Sequence, residues 1–493
     1  MRVVQNIQME LGEIDVSQIK FDLRSRDDIP KILRGLQHLY LDEALRQKVF
    51  ALLASEIAPK VDKHNGRPGM TLWSILVCGV VRLDLNADYD RLHELVNQHK
   101  TLREMLGHSL YDDDKKYTYQ TLVDNVSLLT PELLDKLNQL IVEGGHVLVK
   151  KGGSALRGRC DSFVVETDVH FPTDINLLWD AMRKAITLTA LWCESLQLSD
   201  WRQYRYNLRQ LKRLMRSAQS KKRRKAKAEV QQSNAQMIQA FQAYIDQAQW
   251  HLDKIQITLS KLTVTTPTEL LQKIEIDSYL QHAKRQIDQI ERRVIKGEII
   301  PHAEKVFSLF EPHTEWISKG KAGVPVELGV KVCILEDQHQ FILHHHVMEK
   351  QTDDQIAVTM VTEAKKRFPT LNACSFDKGF HSPANQTELA QQLDQVTLPK
   401  KGKLSKERKA VEQSEAFVKA RRAHSAVESA INALEVHGLD KCPDHGIEGF
   451  KRYVALAIVA RNIRRIGDML WQQEVERERK AIKRNNLKYQ QAA

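Results

Sequence analysis

The sequence has no uninterrupted apolar stretch of membrane-spanning length. Its longest apolar runs, Ser74–Val81 and Tyr453–Ala460, are far shorter than the roughly 20 residues that a transmembrane helix needs. The first residues, MRVVQNIQMELGEIDVSQ, carry acidic side chains where a signal peptide has an apolar core. We therefore expect a cytoplasmic protein without a membrane partner.

Cysteine is scarce and is not arranged in pairs. The six cysteines never occur at CxxC spacing, and each lies in an apolar or mixed run. A disulfide framework and a structural zinc site are both disfavoured by this arrangement. A reducing cytosol is the compartment that such a chain predicts.

One segment lacks acidic residues altogether. Residues 201–228 contain seven Arg, five Lys and no Asp or Glu, in a chain of 493 residues with a net charge of +11. The remaining chain is close to neutral, so the basicity is a local patch. A charge run is usually only a solvated face, but cations without a counter-charge repel one another and cost stability. We interpret the segment as a contact surface for a polyanion.

The spacing within this segment predicts an amphipathic helix with a basic stripe and a lysine-rich end. Five arginines recur at steps of three and four, which places them on one helical face, while Leu211 and Met215 lie on another. The predicted phosphate contacts are Arg202, Arg205, Arg209, Arg213, Arg216, Lys221, Lys222, Arg223, Arg224 and Lys225.

Hydrophobic periodicity divides the chain into three regions. Residues 1–150 follow helical spacing and predict an all-α N-terminal domain, in which Thr71 caps a helix over Leu72–Leu83. A Gly-Gly-Ser linker separates this domain from residues 155–465. The charged tail 466–493 is expected to form an exposed helix. Within 155–465, residues 175–310 are helical throughout and predict a long insertion.

Outside the insertion, the second half of the chain alternates strand and helix signals. The predicted strands are Cys160–Val169, Val324–Leu335, Phe341–His346, Leu371–Phe376 and Val396–Pro399. The predicted helices are Asp353–Phe368, Pro383–Leu393, Glu415–Leu434 and Gly449–Leu470. The resulting order, β-β-β-α-β-α-β-α, predicts an α/β domain of the RNase H-like type, which is a mixed sheet with helices on both faces.

Three acidic residues stand where this fold can bring them together. Asp161 lies in the first strand, and Asp377 follows a later strand at the end where open α/β sheets place ligand sites. Glu428 lies on the helix after the last strand. Cleavage of a phosphodiester by two Mg²⁺ ions needs hard carboxylate ligands of this kind. The three acids are therefore candidate metal ligands.

Each acid has an alternative explanation. Asp168 and Glu166 share the first strand with Asp161, but alternation along a strand places them on the opposite face. Only one face of the strand meets the cleft, so Asp168 is the alternative to Asp161 as the first acid. Asp377 belongs to an Asp-x-Gly sequence, which is common in simple turns. Glu428 has a neighbour one heptad away, Glu435, on a similar helical face.

Four short motifs carry a resemblance to a known family. They are Asp161–Thr167 (DSFVVET), Pro172–Asp174 (PTD), Asp377–Phe380 (DKGF) and His424–Glu428 (HSAVE). In order and spacing they resemble bacterial insertion-sequence transposases of the DDE class, with the greatest likeness to the group catalogued as ISNCY. Gly66–Pro68 (GRP), Phe307–Lys319 (FSLFEPHTEWISK) and Pro325–Gly329 (PVELG) extend the resemblance over nearly the whole chain.

Two departures from the family pattern stand beside these motifs. Phe163 occupies the position, two residues after the first Asp, where the family usually has Thr. Many relatives also carry an Arg or Tyr at a fixed step from the Glu, and the nearest candidates here are Arg421, Arg422 and His424. The two arginines are included among the predicted DNA contacts.

The resemblance implies a DNA transposase in which Asp161, Asp377 and Glu428 hold two Mg²⁺ ions, with Mn²⁺ as a substitute. A metal-activated water would cut at the end of the element, and the released 3′-hydroxyl would then attack target DNA. The implied partners are the terminal inverted repeats, recognised by residues 1–150, the target DNA, and further copies of the chain in a homodimer or larger assembly. The implied location is the bacterial nucleoid.

Two other functions compete with this one. A regulator derived from a transposase would bind DNA without catalysis and predicts a broken triad, whereas this chain has candidates at all three positions. A plain metal-dependent nuclease would not need a basic helical insertion or a separate domain that binds DNA ends.

Overall fold

A computed structural model describes residues 3–5, 9, 11–57, 69–109, 111, 116–149, 155–222, 230–318 and 325–492. The sequence features at 66–68, 152–154 and 223–225 lie outside the described residues. The chain divides into two compact units. We call Met1–Asp168 with Ile317–Ala493 the sheet unit and Val169–Trp316 the insertion unit.

The first part of the sheet unit is helical, as its periodicity predicts. Its helices are α1 (Ile29–Leu41), α2 (Glu43–Ile57), α3 (Leu72–Asp84), α4 (Tyr89–Gln98), α5 (Lys100–Met105), α6 (Tyr119–Val126) and α7 (Pro131–Val149). The Thr71 side chain accepts a hydrogen bond from the backbone nitrogen of Ser74, which confirms it as the cap of α3. Every residue of α3 is buried, so this helix is a core element.

The strands form one mixed sheet. They are β1 (Leu156–Thr167), β2 (Glu315–Ser318), β3 (Val326–Asp337), β4 (Ile342–Met348), β5 (Leu371–Phe376), β6 (Gln395–Thr397) and β7 (Lys441–Cys442). The order is β2-β3-β1-β5-β6, with β4 beside β3 and β7 beside β1. β1 runs antiparallel to β3 and parallel to β5. The predicted α/β character is confirmed, and β5 has the predicted bounds.

The later helices of the sheet unit surround this sheet. They are α12 (Asp353–Arg367), α13 (Pro383–Gln392), α14 (Lys406–Gln413), α15 (Glu415–His424), α16 (Ala426–Leu434) and α17 (Gly446–Ala492). The single helix predicted over Glu415–Leu434 is wrong, because the chain is interrupted at Ser425. The hydroxyl of Ser425 donates to the carbonyl oxygen of Arg422 at 2.8 Å, which competes with the regular helical pattern.

One hydrophobic core joins the helices before β1 to the sheet. It includes Leu36 of α1, Val77 of α3, Val165 of β1, Phe376 of β5 and Ile458 of α17. The predicted N-terminal domain and the predicted catalytic domain therefore share a core. α17 continues as one helix of 47 residues through the predicted start of the tail.

The insertion unit has its own helices and its own core. The helices are α8 (Asp174–Ser195), α9 (Tyr204–Lys222), α10 (Val230–Lys261) and α11 (Pro267–Ile290). A second hydrophobic cluster, which includes Leu178, Leu211, Tyr244 and Leu280, holds them together. The prediction of helix as far as residue 310 is wrong. The chain leaves the helix after a π-helical turn, where Gly297 adopts a φ of +72°.

All six cysteines are buried free thiols. Among the described residues, each helix is too short or too polar to cross a membrane.

Candidate functional site

Parallel pairing of β1 and β5 brings two of the predicted acids together. Cys160 of β1 lies opposite Phe376 of β5 in this register. The next residue in each chain is an aspartate, Asp161 and Asp377, although more than 200 residues separate them in sequence. Neighbouring strands lie about 4.8 Å apart, so both carboxylates occupy one end of this strand pair.

Asp161 is half-buried and lies within electrostatic range of three other acids. Its Oδ1 accepts a hydrogen bond from the backbone nitrogen of Ser162 at 2.8 Å. Burial raises the pKa of Asp161 to about 6, and the negative charges of Asp377, Asp353 and Glu428 raise this pKa as well. We call these four residues the acidic cluster. A bound cation would oppose their mutual repulsion.

Asp377 starts a tight turn without using its carboxylate to hold that turn. It precedes the 3₁₀ turn Lys378–Phe380, and among the described residues its side chain forms no capping hydrogen bond. Phe380 is buried and its ring lies 5.6 Å from that of Phe376, which anchors the turn to β5. Asp377 itself is exposed. Asp377 therefore does begin a turn, as the Asp-x-Gly sequence suggests, but its carboxylate does not hold that turn and is available to bind a cation.

Glu428 reaches the acidic cluster from the first turn of α16. Val427 and Ala430 are buried beneath it, and α16 packs against β1, while Glu428 is exposed. Glu435, the alternative, lies further along at the start of a π-helical turn, Glu435–Leu439. Because α16 packs on β1, the charge of Glu428 is close enough to act on Asp161.

His424 lies beside two members of the acidic cluster. It shares a hydrogen bond of 3.0 Å, between its Nδ1 and the hydroxyl oxygen of Ser375. Burial lowers the pKa of His424, whereas Asp377 and Glu428 act in the opposite direction. Ser375 belongs to β5, so this bond connects the end of α15 to the strand that carries Asp377.

Asp168, the alternative first acid, lies elsewhere. Its Oδ1 is 2.5 Å from the Nζ of Lys441, and 55% of its side chain is exposed. A surface pair of this kind contributes little to stability. Of the two aspartates, Asp161 is the one that belongs to the acidic cluster.

Asp353 is a member of the cluster that the motifs did not identify. Helix α12 begins at Asp353, as predicted, and Thr352 is its N-cap residue. The Gln355 side chain accepts from the Thr352 backbone nitrogen at 2.9 Å, as in a capping box. The Thr-x-x-Gln pattern in the sequence could have drawn attention to Asp353. It assigns the capping role to Thr352 and Gln355, so the Asp353 carboxylate is left without a role in the cap.

The donor atoms suit a hard divalent cation, but they do not form a closed metal cage. Among the described residues, no group of three or more His, Cys, Asp or Glu side chains is arranged to hold a metal ion. Mg²⁺ often needs only one or two carboxylates, because substrate phosphates and water complete its coordination. The acidic cluster fits this open type of site through its oxygen ligands and the exposure of Asp377 and Glu428.

The described part of the basic segment is an amphipathic helix, as predicted. Leu211, Met215 and Ala218 of α9 are buried in the insertion unit. The exposed arginines, which we call the basic face, are Arg202, Arg205, Arg209, Arg213 and Arg216. Arg202 lies in the turn before α9, and Lys221 is half-buried.

The remaining predicted DNA contacts have different positions. The side chain of Lys222 and all of Arg223, Arg224 and Lys225 lie outside the described residues. Arg421 and Arg422 are exposed in the last turn of α15, a few residues before Glu428.

Comparison with known proteins gives no match to this chain. No protein-family model matches it, no curated protein shows significant similarity to its sequence, and no solved structure shows significant similarity to it.

Proposed function

We propose that this chain is a DNA transposase with an RNase H-like catalytic domain, which cuts the ends of an insertion sequence and joins them to target DNA. The observation that carries the proposal is the β1–β5 register, which places Asp161 beside Asp377. Glu428 acts on Asp161 from α16, so the three acids named by the transposase-like motifs share one region of the sheet unit.

The arrangement of the cluster supports phosphodiester chemistry with divalent cations. Asp161, Asp377 and Glu428 would hold two Mg²⁺ ions, or Mn²⁺ in their place. Such ions stabilise the attacking and leaving oxygens of an in-line displacement and activate the attacking water. The protein contributes carboxylate ligands from three separate elements, and two of these carboxylates remain exposed for a large substrate.

The same residues serve both chemical steps in this proposal. Asp161 is held by the backbone nitrogen of Ser162, and Asp377 by the anchored turn after β5, so both ligands are positioned before DNA binds. Water is the nucleophile in the first step and the released 3′-hydroxyl in the second. Both are in-line transfers at phosphorus, so one set of ligands suffices.

The basic face supports the choice of DNA as the partner. Its exposed arginines form no part of the insertion core, and they match the requirement for phosphate contacts that add affinity without sequence information. We assign recognition of the terminal repeats to residues 1–150. Within this region α3 is wholly buried, so another element has to enter the DNA groove. A homodimer or larger assembly on DNA would hold two ends together.

The test is cleavage of plasmid DNA that carries both ends of the insertion sequence encoding this chain. In Mg²⁺ the purified full chain should nick the ends and form strand-transfer products. Asp377→Ala and Glu428→Ala should bind the same DNA with unchanged affinity. Their cleavage rates should fall by about a thousandfold, because each removes several kcal/mol of transition-state stabilisation.

Asp168→Ala is the matched control, since it removes an acid after the same strand without touching the cluster. It should cut at the wild-type rate. Cleavage by Asp377→Ala at the wild-type rate would disprove the assigned site. The competing function is a DNA-binding regulator derived from a transposase. Wild-type chain that binds the ends but never cuts them would support that regulator.

A further inference from the structure

The carboxylate of Asp353 contacts two strands of the sheet. The hydroxyl of Ser162 in β1 donates to Oδ1 of Asp353 at 2.7 Å. The Nζ of Lys331 in β3 lies 3.3 Å from Oδ2 and 3.4 Å from Oδ1. Only 20% of the Asp353 side chain is exposed. A partly buried, charge-assisted arrangement of this kind is stronger than a surface ion pair.

These contacts place Asp353 between the segments that carry two proposed metal ligands. Ser162 directly follows Asp161, and its backbone nitrogen is the group that binds the Asp161 carboxylate. A shift of Ser162 therefore moves Asp161. Asp353 itself belongs to the first turn of α12, which packs against β3, β4 and β5.

Gly379 brings the second ligand segment against the same carboxylate. A Cβ atom at Gly379 would lie 2.9 Å from Oδ2 of Asp353, closer than such atoms approach in folded proteins. The backbone at Gly379 has an ordinary φ, so an added Cβ would be opposed by the close Asp353 carboxylate and not by a left-handed conformation. Asp353 thus packs directly against the turn that follows Asp377.

We propose that Asp353 is a positioning residue, whose carboxylate fixes Asp161 through Ser162 and fixes Asp377 through the turn at Gly379. This inference rests on the proposed function, because it assigns Asp353 to the same metal-dependent site. Oδ1 of Asp353 accepts from the Ser162 hydroxyl and Oδ2 faces the Lys331 ammonium, and these contacts favour a role in orienting the ligands over direct metal binding. Groups that orient metal ligands typically change metal affinity by about 10–100-fold when removed.

The first experiment measures the binding of Mn²⁺ alone to the full chain by titration calorimetry. Asp353→Ala should weaken Mn²⁺ binding by about tenfold or more. Asp353→Asn retains an acceptor for the Ser162 hydroxyl and similar size beside Gly379, so it should keep most of the affinity. Asp354→Ala is the matched control on the next, exposed residue and should bind as the wild type does.

The second experiment uses Gly379 and does not depend on catalysis. Gly379→Ala should weaken Mn²⁺ binding in the wild-type background, because the new methyl group displaces the Asp353 carboxylate. In the Asp353→Ala background the same substitution should have little further effect, since the atom it clashes with is gone. Thermal unfolding of each variant shows whether the fold is intact. Non-additivity of this kind identifies direct coupling.

The outcomes separate this inference from the proposed function. Mn²⁺ binding that Asp377→Ala abolishes and Asp353→Ala leaves unchanged would overturn the positioning role alone. Equal losses for Asp353→Asn and Asp353→Ala would also overturn it, because Asp353 would then be a ligand. Wild-type chain that binds no Mn²⁺, or binds it as Asp377→Ala does, would remove the proposed function and the positioning role with it.

Discussion

The two units of the chain use charge in opposite ways. The sheet unit collects acids from four elements into one half-exposed cluster, and their sequence positions range from 161 to 428. The insertion unit presents its basic face from one short segment, and the arginines of that face are exposed. A site made of converging ligands depends on how distant strands and helices pack together. A phosphate-binding surface depends only on the spacing of residues along one helix.

The same contrast extends to buried polar groups. In the sheet unit, buried charges are paired across long sequence distances, as Arg82 with Asp444 at 2.7 Å and Arg464 with Asp84 at 2.8 Å. In the insertion unit, a buried acid has its partner close in sequence, as Asp180 has His170 at 2.6 Å. Gln286 is fully buried there, and its amide has no partner among the described residues. The buried ion pairs of the sheet unit therefore join distant parts of the chain, so the loss of one affects how its helices pack.

The largest expected effect follows from the buried ion pair between α17 and α3. Arg464→Met should lower the free energy of unfolding by about 3–5 kcal/mol, because it leaves the Asp84 carboxylate buried without its cation. Denaturant unfolding followed by circular dichroism measures the loss. Asp84→Asn added to Arg464→Met should recover part of the stability, since it removes the stranded charge.

Lys480→Ala supplies the control for this prediction. Lys480 belongs to the same helix, but its ion pair with Glu476 is exposed, with 75% of the lysine side chain accessible. Its loss should change the free energy of unfolding by no more than about 0.5 kcal/mol. If both variants lose equal stability, the sheet unit does not depend on buried pairs more than on surface pairs.

The next effect has the opposite sign and concerns Asp161. Burial and neighbouring acids raise the folded-state pKa of Asp161 to about 6, above its unfolded value of about 3.8. The folded chain therefore holds this proton more tightly, and the contribution of Asp161 to stability falls as the pH rises from about 4 to about 6. Asp161→Asn should raise the free energy of unfolding at pH 8 by up to about 3 kcal/mol.

The measurement is denaturant unfolding in EDTA at pH 4 and at pH 8. The stabilisation by Asp161→Asn should disappear at pH 4, where the wild-type aspartate is protonated in the folded chain. Asp168→Asn should show no comparable gain at either pH, because Asp168 is exposed and paired with Lys441. Equal stability of wild type and Asp161→Asn at pH 8 would contradict the unfavourable burial and charge repulsion assigned to Asp161.

The smallest effect on stability is expected at the basic face of the insertion unit. Replacement of Arg205, Arg209, Arg213 and Arg216 by Gln should leave the free energy of unfolding within about 0.5 kcal/mol per site, because these side chains are exposed. The effect should appear in DNA binding. The slope of log affinity against log salt should become shallower by about 3–4, as four phosphate contacts are lost.

A charge-matched variant controls for loss of net charge. Replacement of four exposed cations of α17 removes the same charge from the sheet unit, namely Arg477, Arg479, Lys480 and Lys483. Its salt slope should remain that of the wild type. Equal changes in the two variants would show that net charge alone, and not the basic face, governs DNA binding.

Local patterns predicted the secondary structure well where a cap, a short and largely apolar run or a one-sided helix marks the element. The bounds of β5 and the Thr71 cap of α3 follow the sequence directly. The amphipathic α9 does so as well, because steps of three and four decide which residues share a helical face. Short elements escaped prediction. β2 and β7 have four and two residues, too few for a periodic signal.

Half of the candidate site was visible in the sequence. Asp377 and Glu428 stand in recognisable motifs, and Asp161 could not be separated from Asp168 by strand periodicity alone. The register against β5 and the pairing of Asp168 with Lys441 distinguish them in the structure. Asp353 has no motif. Its role depends on contacts with Ser162, Lys331 and Gly379, which are distant in the chain.

Residue order alone thus establishes most helices and strands, the absence of disulfide-type cysteine spacing and the exposed stripe of arginines. These features depend on side chains a few positions apart, so local spacing is sufficient. Which acids meet depends on strand register and on where α12 and α16 pack. Strand register and helix packing are determined by burial of the whole core, in which contacts between distant residues outweigh local preference.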